Sequence, residues 1–238
     1  MTRILVLQNT AEREPIANPA TLFEAAGAAV HSCWAYAGEL PGEIRAYDGI
    51  CISGGPNSAY EDVAFIHREH TLIREAGGLG IPMLGICLGS QLLASALCGR
   101  DMVFRRSSCE VGFKTMTAEP AMDSDRLSAT IARPLRMFVW HNDEVRAHHS
   151  DVVVLAGTED CPNQIWRFRD RPIWGIQGHP EVTRTQALTW FDQKRRTLEA
   201  DGADVDALKA DAEETTEAND LVRNFASLCL LVSTFRPT

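Results

Sequence analysis

Short apolar runs, spaced at intervals and separated by helical patterns, constrain this chain more than any other feature. Residues 3–8 (RILVLQ), 48–53 (DGICIS) and 82–86 (PMLGI) are each brief, apolar and bounded by turn residues. That is the pattern of strands buried on both faces. Between them, NPATLFEAAGAA (18–29) reads as a helix, with Asn18 as N-cap and Pro19 in the first helical position. EDVAFIHREHTLIREAGG (61–78) reads as a second, placing Val63, Ile66, His70 and Ile73 at helical spacing with Gly77 as terminator. A third begins just after Cys87 and runs to about Leu97. Strands that alternate with helices predict an α/β fold whose open, mostly parallel sheet is covered on both faces.

The later chain changes character. Residues 111–117, 136–142, 151–157, 163–169 and 172–178 are strand-like with short links, which predicts antiparallel additions or a small side sheet. A further helix follows HPEV. Residues 192–238 are charged, rich in Ala and Glu and helical in pattern. They predict two helices on the rim of the same domain, so the organisation expected is a main unit over 1–191 and a helical extension over 192–238.

The chain has 238 residues, 45% of them hydrophobic, enough for a sizeable core. Its net charge of −9 and lack of a basic face argue against nucleic acid as a partner. No apolar stretch reaches membrane-spanning length, and the start, MTRILVLQNT, lacks a signal-peptide pattern. The seven cysteines are irregularly spaced with no C-x-x-C pair, so neither a metal site nor a redox pair is expected. Free thiols in a reducing cytoplasm are the expectation.

LGICLGSQLLASAL (84–97) sets Cys87 between Gly85 and Gly89 at a strand-to-helix junction. G-x-C-x-G is the thiol version of a nucleophile elbow. Small flanking residues permit a sharp turn, and the helix N-terminus behind it offers free N–H groups and a positive dipole end. That setting favours thiolate, the attacking form, over a thiol of ordinary pKa about 8.5. Taken alone, the pentapeptide also fits a small buried hydrophobe, the reading that suits Cys51 and Cys98.

A thiol nucleophile needs a base. Among seven histidines, His179 in WGIQGHPEV follows a predicted strand and precedes Glu181 by two residues. If that strand lies parallel to the Cys87 strand, both side chains emerge at one carboxyl edge, where open α/β sheets place their sites. Glu181 would then orient the imidazole; by itself HPE also fits an ordinary loop. ISGGPNSAYED (52–62) adds Gly54 and Gly55, whose bare backbone can approach a ligand and offer an N–H to an oxyanion, with Leu88 N–H as the second donor. The stretch is also simply a good turn. An ATP-pyrophosphatase loop is rejected, because Asn57 stands where that loop has aspartate and Pro56 precedes it. A flavodoxin-like cofactor binder lacks support, since no G-x-G-x-x-G follows the first strand.

Together, ISGGPNS, GICLGSQLLA, VWHNDEV, NQIWRF and GIQGHPEV, in this order over roughly residues 3–191, resemble the class I glutamine amidotransferases, in particular stand-alone proteins similar to the amidotransferase part of GMP synthase. The resemblance implies a flavodoxin-like sheet and a Cys-His-Glu triad of Cys87, His179 and Glu181. It implies hydrolysis of the glutamine amide through a γ-glutamyl thioester, with Gly55 and Leu88 as oxyanion donors and no cofactor. Gln91 matches the substrate-binding position after the elbow, while Trp140, His141 and Asp143 match the segment that holds the α-amino and α-carboxylate groups. Gly54 completes the expected substrate contacts.

Two departures stand out. Many relatives carry an aromatic residue where this chain has Gly178, a glycine shared with proteins similar to γ-glutamyl peptidases. A wider pocket there would suit γ-glutamyl peptides or conjugates. The chain also carries no synthetase domain, so ammonia made here implies a separate synthetase as acceptor. A non-catalytic binding protein of the same fold is the alternative from another class.

Overall fold

The computed structural model describes residues 1–233; residues 234–238, the end of the C-terminal tail, lie outside the described residues. The first half alternates strand and helix: β1 (Arg3–Leu7), α1 (Ala20–Ala25), β2 (Ala29–Cys33), β3 (Gly49–Ile52), α2 (Ala64–Gly78), β4 (Met83–Ile86) and α3 (Leu88–Cys98). Then come β5 (Val103–Thr115), β6 (Thr117–Ala118), β7 (Arg136–Val145), β8 (Val152–Gly157), β9 (Ile165–Phe168) and β10 (Ile173–Ile176). Four helices close the chain: α4 (Arg184–Gln193), α5 (Arg195–Ala200), α6 (Val205–Ala210) and α7 (Thr216–Ser233).

The main sheet has eight strands in the order β2-β1-β3-β4-β10-β9-β8-β6. The five from β2 to β10 run parallel, and β9, β8 and β6 continue antiparallel. β5 and β7 pair as a separate antiparallel ribbon. The expected sheet is thus present, with both the antiparallel additions and the side sheet. β10 is the exception among the later strands, because it lies parallel beside β4.

Alternation along each strand divides the core. Leu5, Leu7, Ile50 and Ile52 face α2 and α3, meeting Ile66, Ile73, Leu92 and Leu93. Ile4, Val6, Cys51 and Ile86 face the other side, covered by Phe23 of α1 and by Leu221, Val222 and Phe225 of α7. A third cluster joins Phe113 and Phe138 of the ribbon to Phe191, Leu198 and Val205 of α4, α5 and α6.

Three expectations need correction. The helix expected over 18–29 is shorter, because Gly27 (φ 81) turns the chain and residues from Ala29 onward form β2. Pro19 is the cap position itself, and Asn18 Oδ1 accepts from Ala20 N–H at 3.0 Å. Gly77 does not end α2; it is buried inside the helix, and the left-handed residue past the end is Gly80 (φ 66). The tail holds three helices after α4 rather than two, and α7 does not sit on the rim but covers one face of the main sheet.

Candidate active site

β4 ends at Ile86 and α3 starts at Leu88, so Cys87 alone turns the chain. Its backbone (φ 50, ψ −109) is the one positive φ at a non-glycine residue among the described residues. The flanking glycines are required by close packing. A Cβ on Gly85 would collide with the backbone of Gly89 and Ser90, and one on Gly89 would collide with the Ile52 carbonyl of β3. The start of α3 is therefore pressed onto the sheet's carboxyl edge. Its first N–H groups, at Leu88, Gly89 and Ser90, have no acceptor in a preceding helical turn.

Parallel pairing carries the second half of the site to the same edge. Ile176 lies opposite Ile86, and Cys87 N–H donates to Ile176 O at 2.7 Å. Past β10 the chain is tied to the ribbon, where His179 N–H donates to Phe138 O at 2.8 Å. The Thr183–Gln186 capping box then starts α4 just beyond Glu181. Between these anchors, His179 Nδ1 meets Glu181 Oε1 at 2.9 Å. The Cys87 sulfur is a hydrogen-bond partner of the same imidazole, and Nε2 is the ring nitrogen left to meet it. Burial alone would depress the His179 pKa. The Glu181 carboxylate and the Cys87 sulfur outweigh burial and hold it well above its ordinary value, which favours imidazolium between two anionic groups. Glu181 Oε2 is buried with no hydrogen-bond partner among the described residues.

Other thiols lack such a setting. Burial raises Cys33, Cys51, Cys109 and Cys161, and it lifts Cys98 to about 11, so each stays a neutral thiol.

A cavity of about 230 Å³ opens over Cys87. Gly55, Leu88, Gln91, Trp140, His141 and Asp143, all expected from the sequence, line it. Gly54 does not line it but lies beneath: a Cβ there would stand 3.0 Å from His179 Cε1 and 3.4 Å from Cys87 Cβ. A Cβ on Gly55 would collide with the Asn9 carbonyl oxygen, so only glycine brings this backbone so near. The Trp140 carbonyl is 3.9 Å from Cys87 Sγ, and Gln91 Nε2 donates to the Asp143 carbonyl at 3.0 Å. The Asp143 carboxylate accepts from Ser58 Oγ and from Tyr60 OH.

His141 turns its ring away from the cavity. Nδ1 faces the Asp143 carbonyl at 3.1 Å and Nε2 faces Glu110 Oε2 at 2.9 Å, so both ring nitrogens face acceptors, which suits the doubly protonated ring. Thr158 Oγ1 (2.7 Å) and Gln164 Nε2 (2.8 Å) also donate to Glu110. Burial would raise the Glu110 pKa, but His141, Thr158 and Arg106 more than reverse this and lower it. Cys161 completes a buried group with Glu110 and His141 whose possible ligand atoms lie within 4.8 Å of one another. The neighbouring Arg106 guanidinium, paired with Glu144, disfavours a cation there.

The wider pocket expected at Gly178 is absent. A Cβ at 178 would stand 2.8 Å from Met137 Cε, 3.0 Å from Phe138 O and 3.1 Å from Val139 Cγ1. Position 178 therefore faces β7, and glycine serves that close approach. Sequence reasoning missed Gln177, which is fully buried with Nε2 at 3.8 Å from Cys87 Sγ and Oε1 accepting from Gln91 at 3.3 Å. Its signal was its place between the β10 run and His179. Glu110 and Arg105 were missed as well.

Residues 20–194 match the family profile described as glutamine amidotransferase class-I. The chain is 35% identical over 144 residues to a separate subunit of the glutamine-hydrolyzing GMP synthase of Saccharolobus solfataricus, covering 60% of this chain and 72% of that protein. It is 35% identical over 151 residues to the glutamine-hydrolyzing GMP synthase of Cronobacter sakazakii, where the match covers 60% of this chain but only 27% of the relative's length. Among solved structures, a glutamine amidotransferase from Thermotoga maritima superposes with a TM-score of 0.80 at 26% identity, over 96% of this chain and 98% of that one. A glutamine amido transferase from Methylobacillus flagellatus shares the fold with a TM-score of 0.81 at 22% identity, over 100% of this chain and 97% of that one. With a profile match over most of its length and an elbow, sheet order and sheet-edge cavity arranged as described, this chain belongs to the class I glutamine amidotransferase family.

Proposed function

We propose that the chain hydrolyses the side-chain amide of glutamine to glutamate and ammonia, with Cys87 as nucleophile, His179 as general base and acid, and Glu181 as the orienting carboxylate. The thiolate of Cys87 adds to the amide carbon. Backbone N–H groups of Gly55 and Leu88 receive the negative charge that develops on the amide oxygen. The His179 imidazolium gives its proton to the departing nitrogen, ammonia leaves, and a γ-glutamyl thioester remains. His179 then takes a proton from water, hydroxide adds to the thioester, and glutamate departs as the thiolate re-forms. Gln91 and the 140–143 segment hold the substrate.

One observation carries this reading: thiol, imidazole and carboxylate stand in sequence at one sheet edge, at the floor of a cavity. The Gly178 geometry removes the feature that favoured γ-glutamyl peptides, leaving free glutamine as the better-supported substrate. The acceptor of ammonia is proposed to be a separate synthetase, by analogy with the Saccharolobus relative, which is itself one part of a divided GMP synthase. A cytoplasmic setting fits the cysteines, among which no disulfide forms. Among the described residues no helix is long and apolar enough to cross a membrane.

The test is chemical. A glutamine-like diazoketone should label one thiol, and mass mapping should place it on Cys87. Cys87→Ala should lose glutamine turnover by a factor on the order of 10⁴ or more while keeping a cooperative melt. Labelling of Cys98 or Cys109, or turnover surviving in the variant, would defeat the assignment.

A further inference from the structure

We infer that Arg105 and Asp143 form a clamp for the amino-acid head of the substrate, Arg105 taking the α-carboxylate and Asp143 the α-ammonium group. The inference rests on the reading above and extends it to a residue without a role so far.

Arg105 on β5 lies directly opposite Asp143 on β7. Beyond this pair the register jumps to Glu110 opposite His141, so β5 takes more residues than β7 to cover the same span. The extra residues, 106–109, form a bulge, a device that bends a strand and re-aims its side chains beside a site. Arg105 then lines the cavity over Cys87.

Its chemistry there is unspent. Arg105 Nη1 is 3.6 Å from Asp143 Oδ1, beyond hydrogen-bond length, and its side chain is 61% exposed. Among the described residues its guanidinium makes no side-chain hydrogen bond, whereas Asp143 is already held by Ser58 and Tyr60. A guanidinium presents a planar fork of donors that matches a carboxylate. The cavity's other polar side chains include the neutral Asn57, Ser58, Gln91 and Asn142, and the His141 ring is committed to Glu110. Arg105 and Asp143 are therefore the charges that face the substrate, one of each sign, side by side. That arrangement complements a zwitterion. It also offsets, at the mouth, the repulsion that a chain of net charge −9 exerts on an anionic group. An ion pair this exposed adds little to the fold, so its removal reads out binding and not folding.

The experiment uses calorimetry on the Cys87→Ala protein, in which binding is measured without turnover. The probes are L-glutamine and L-glutaminamide, whose neutral amide replaces the α-carboxylate. Glutamine should bind more tightly than glutaminamide. Arg105→Gln should weaken glutamine by about tenfold or more and leave glutaminamide nearly unchanged. Arg105→Lys should recover part of the loss. With Cys87 intact, Arg105→Gln should raise KM for glutamine with kcat little altered. If the variant weakens both probes equally or neither, the clamp is overturned while the glutaminase reading stands. If the native protein neither binds nor turns over glutamine, that reading falls and takes the clamp with it.

Discussion

Cys87 holds a backbone conformation that side-chain-bearing residues avoid, and it does so where the chemistry needs a sulfur. Strain of this kind costs about 1–3 kcal/mol. Glycine would relieve it, at an entropic cost of roughly 0.5–1 kcal/mol in the unfolded chain. Relief outweighs entropy, so Cys87→Gly should be more stable than Cys87→Ala by about 1 kcal/mol in denaturant titrations, with both inactive. Equal stabilities would mean that the elbow relaxes when the sulfur is gone. The contrast with Gly89 is sharp. There any Cβ meets the Ile52 carbonyl, so the position is closed to side chains however the backbone relaxes. These requirements were legible in G-x-C-x-G, because a nucleophile turn writes its sterics into adjacent residues. The Gln177 and Arg105 contacts were not legible. They depend on β10 lying beside β4 and on a bulge in β5, neither of which has a local sequence signature.

At the scale of elements, α2 carries a buried carboxyl group behind the Gly54–Gly55 strand. Asn9 Nδ2 donates to Glu69 Oε2 at 3.1 Å, while Asn9 N–H donates to Ser53 Oγ at 3.0 Å, directly before the glycines. Burial raises the Glu69 pKa from 4.5 to about 8, against a smaller lowering by Asn9. The neighbouring His70 is pushed the other way by burial, from 6.5 to about 4. A raised acid keeps its proton in the folded state after the unfolded chain has lost it, so stability falls as pH rises between about 4.5 and 8. The depressed His70 makes stability rise with pH between about 4 and 6.5, so the two oppose each other below that point. Above it Glu69 acts in the same direction as His179, whose raised pKa also makes stability fall with rising pH. The difference between native protein and Glu69→Gln isolates the carboxyl. The variant should gain about 2 kcal/mol relative to the native protein from pH 6.5 to 8. Unfolding curves with a constant offset across that range would contradict a neutral Glu69. The apolar spacing of α2 was plain in its sequence. That a glutamate on it would be buried was not, since its partner Asn9 lies sixty positions away.

For the molecule as a whole, the charged tail proves to be structural cover for the sheet. Its acidic, Ala-rich composition suggested helices on the rim, and the spacing of Leu221, Val222, Phe225 and Cys229 held the contrary signal of one apolar face. That face closes the second side of the main sheet. The Phe225 ring lies 6.0 Å from that of Phe23 and 6.4 Å from that of Trp174, and a Cβ on Gly49 would collide with the Cys229 sulfur. The same helix reaches the site, where Asn219 Nδ2 donates to the carbonyl of Pro180, the residue between His179 and Glu181. Burying three large side chains is worth roughly 1.5–3 kcal/mol each, which together approaches the 5–15 kcal/mol that holds a whole domain folded. A chain stopped at Glu214 should therefore lose its cooperative melt and bind a hydrophobic dye, although it retains every residue of the profile match. A gentler change separates cover from positioning. Asn219→Ala should melt within a few degrees of the native protein, since one hydrogen bond is worth about 1 kcal/mol. It should nevertheless lower kcat for glutamine, because the turn that sets His179 against Glu181 loses its outer tether. Unchanged kcat in that variant would confine α7 to its part in the core.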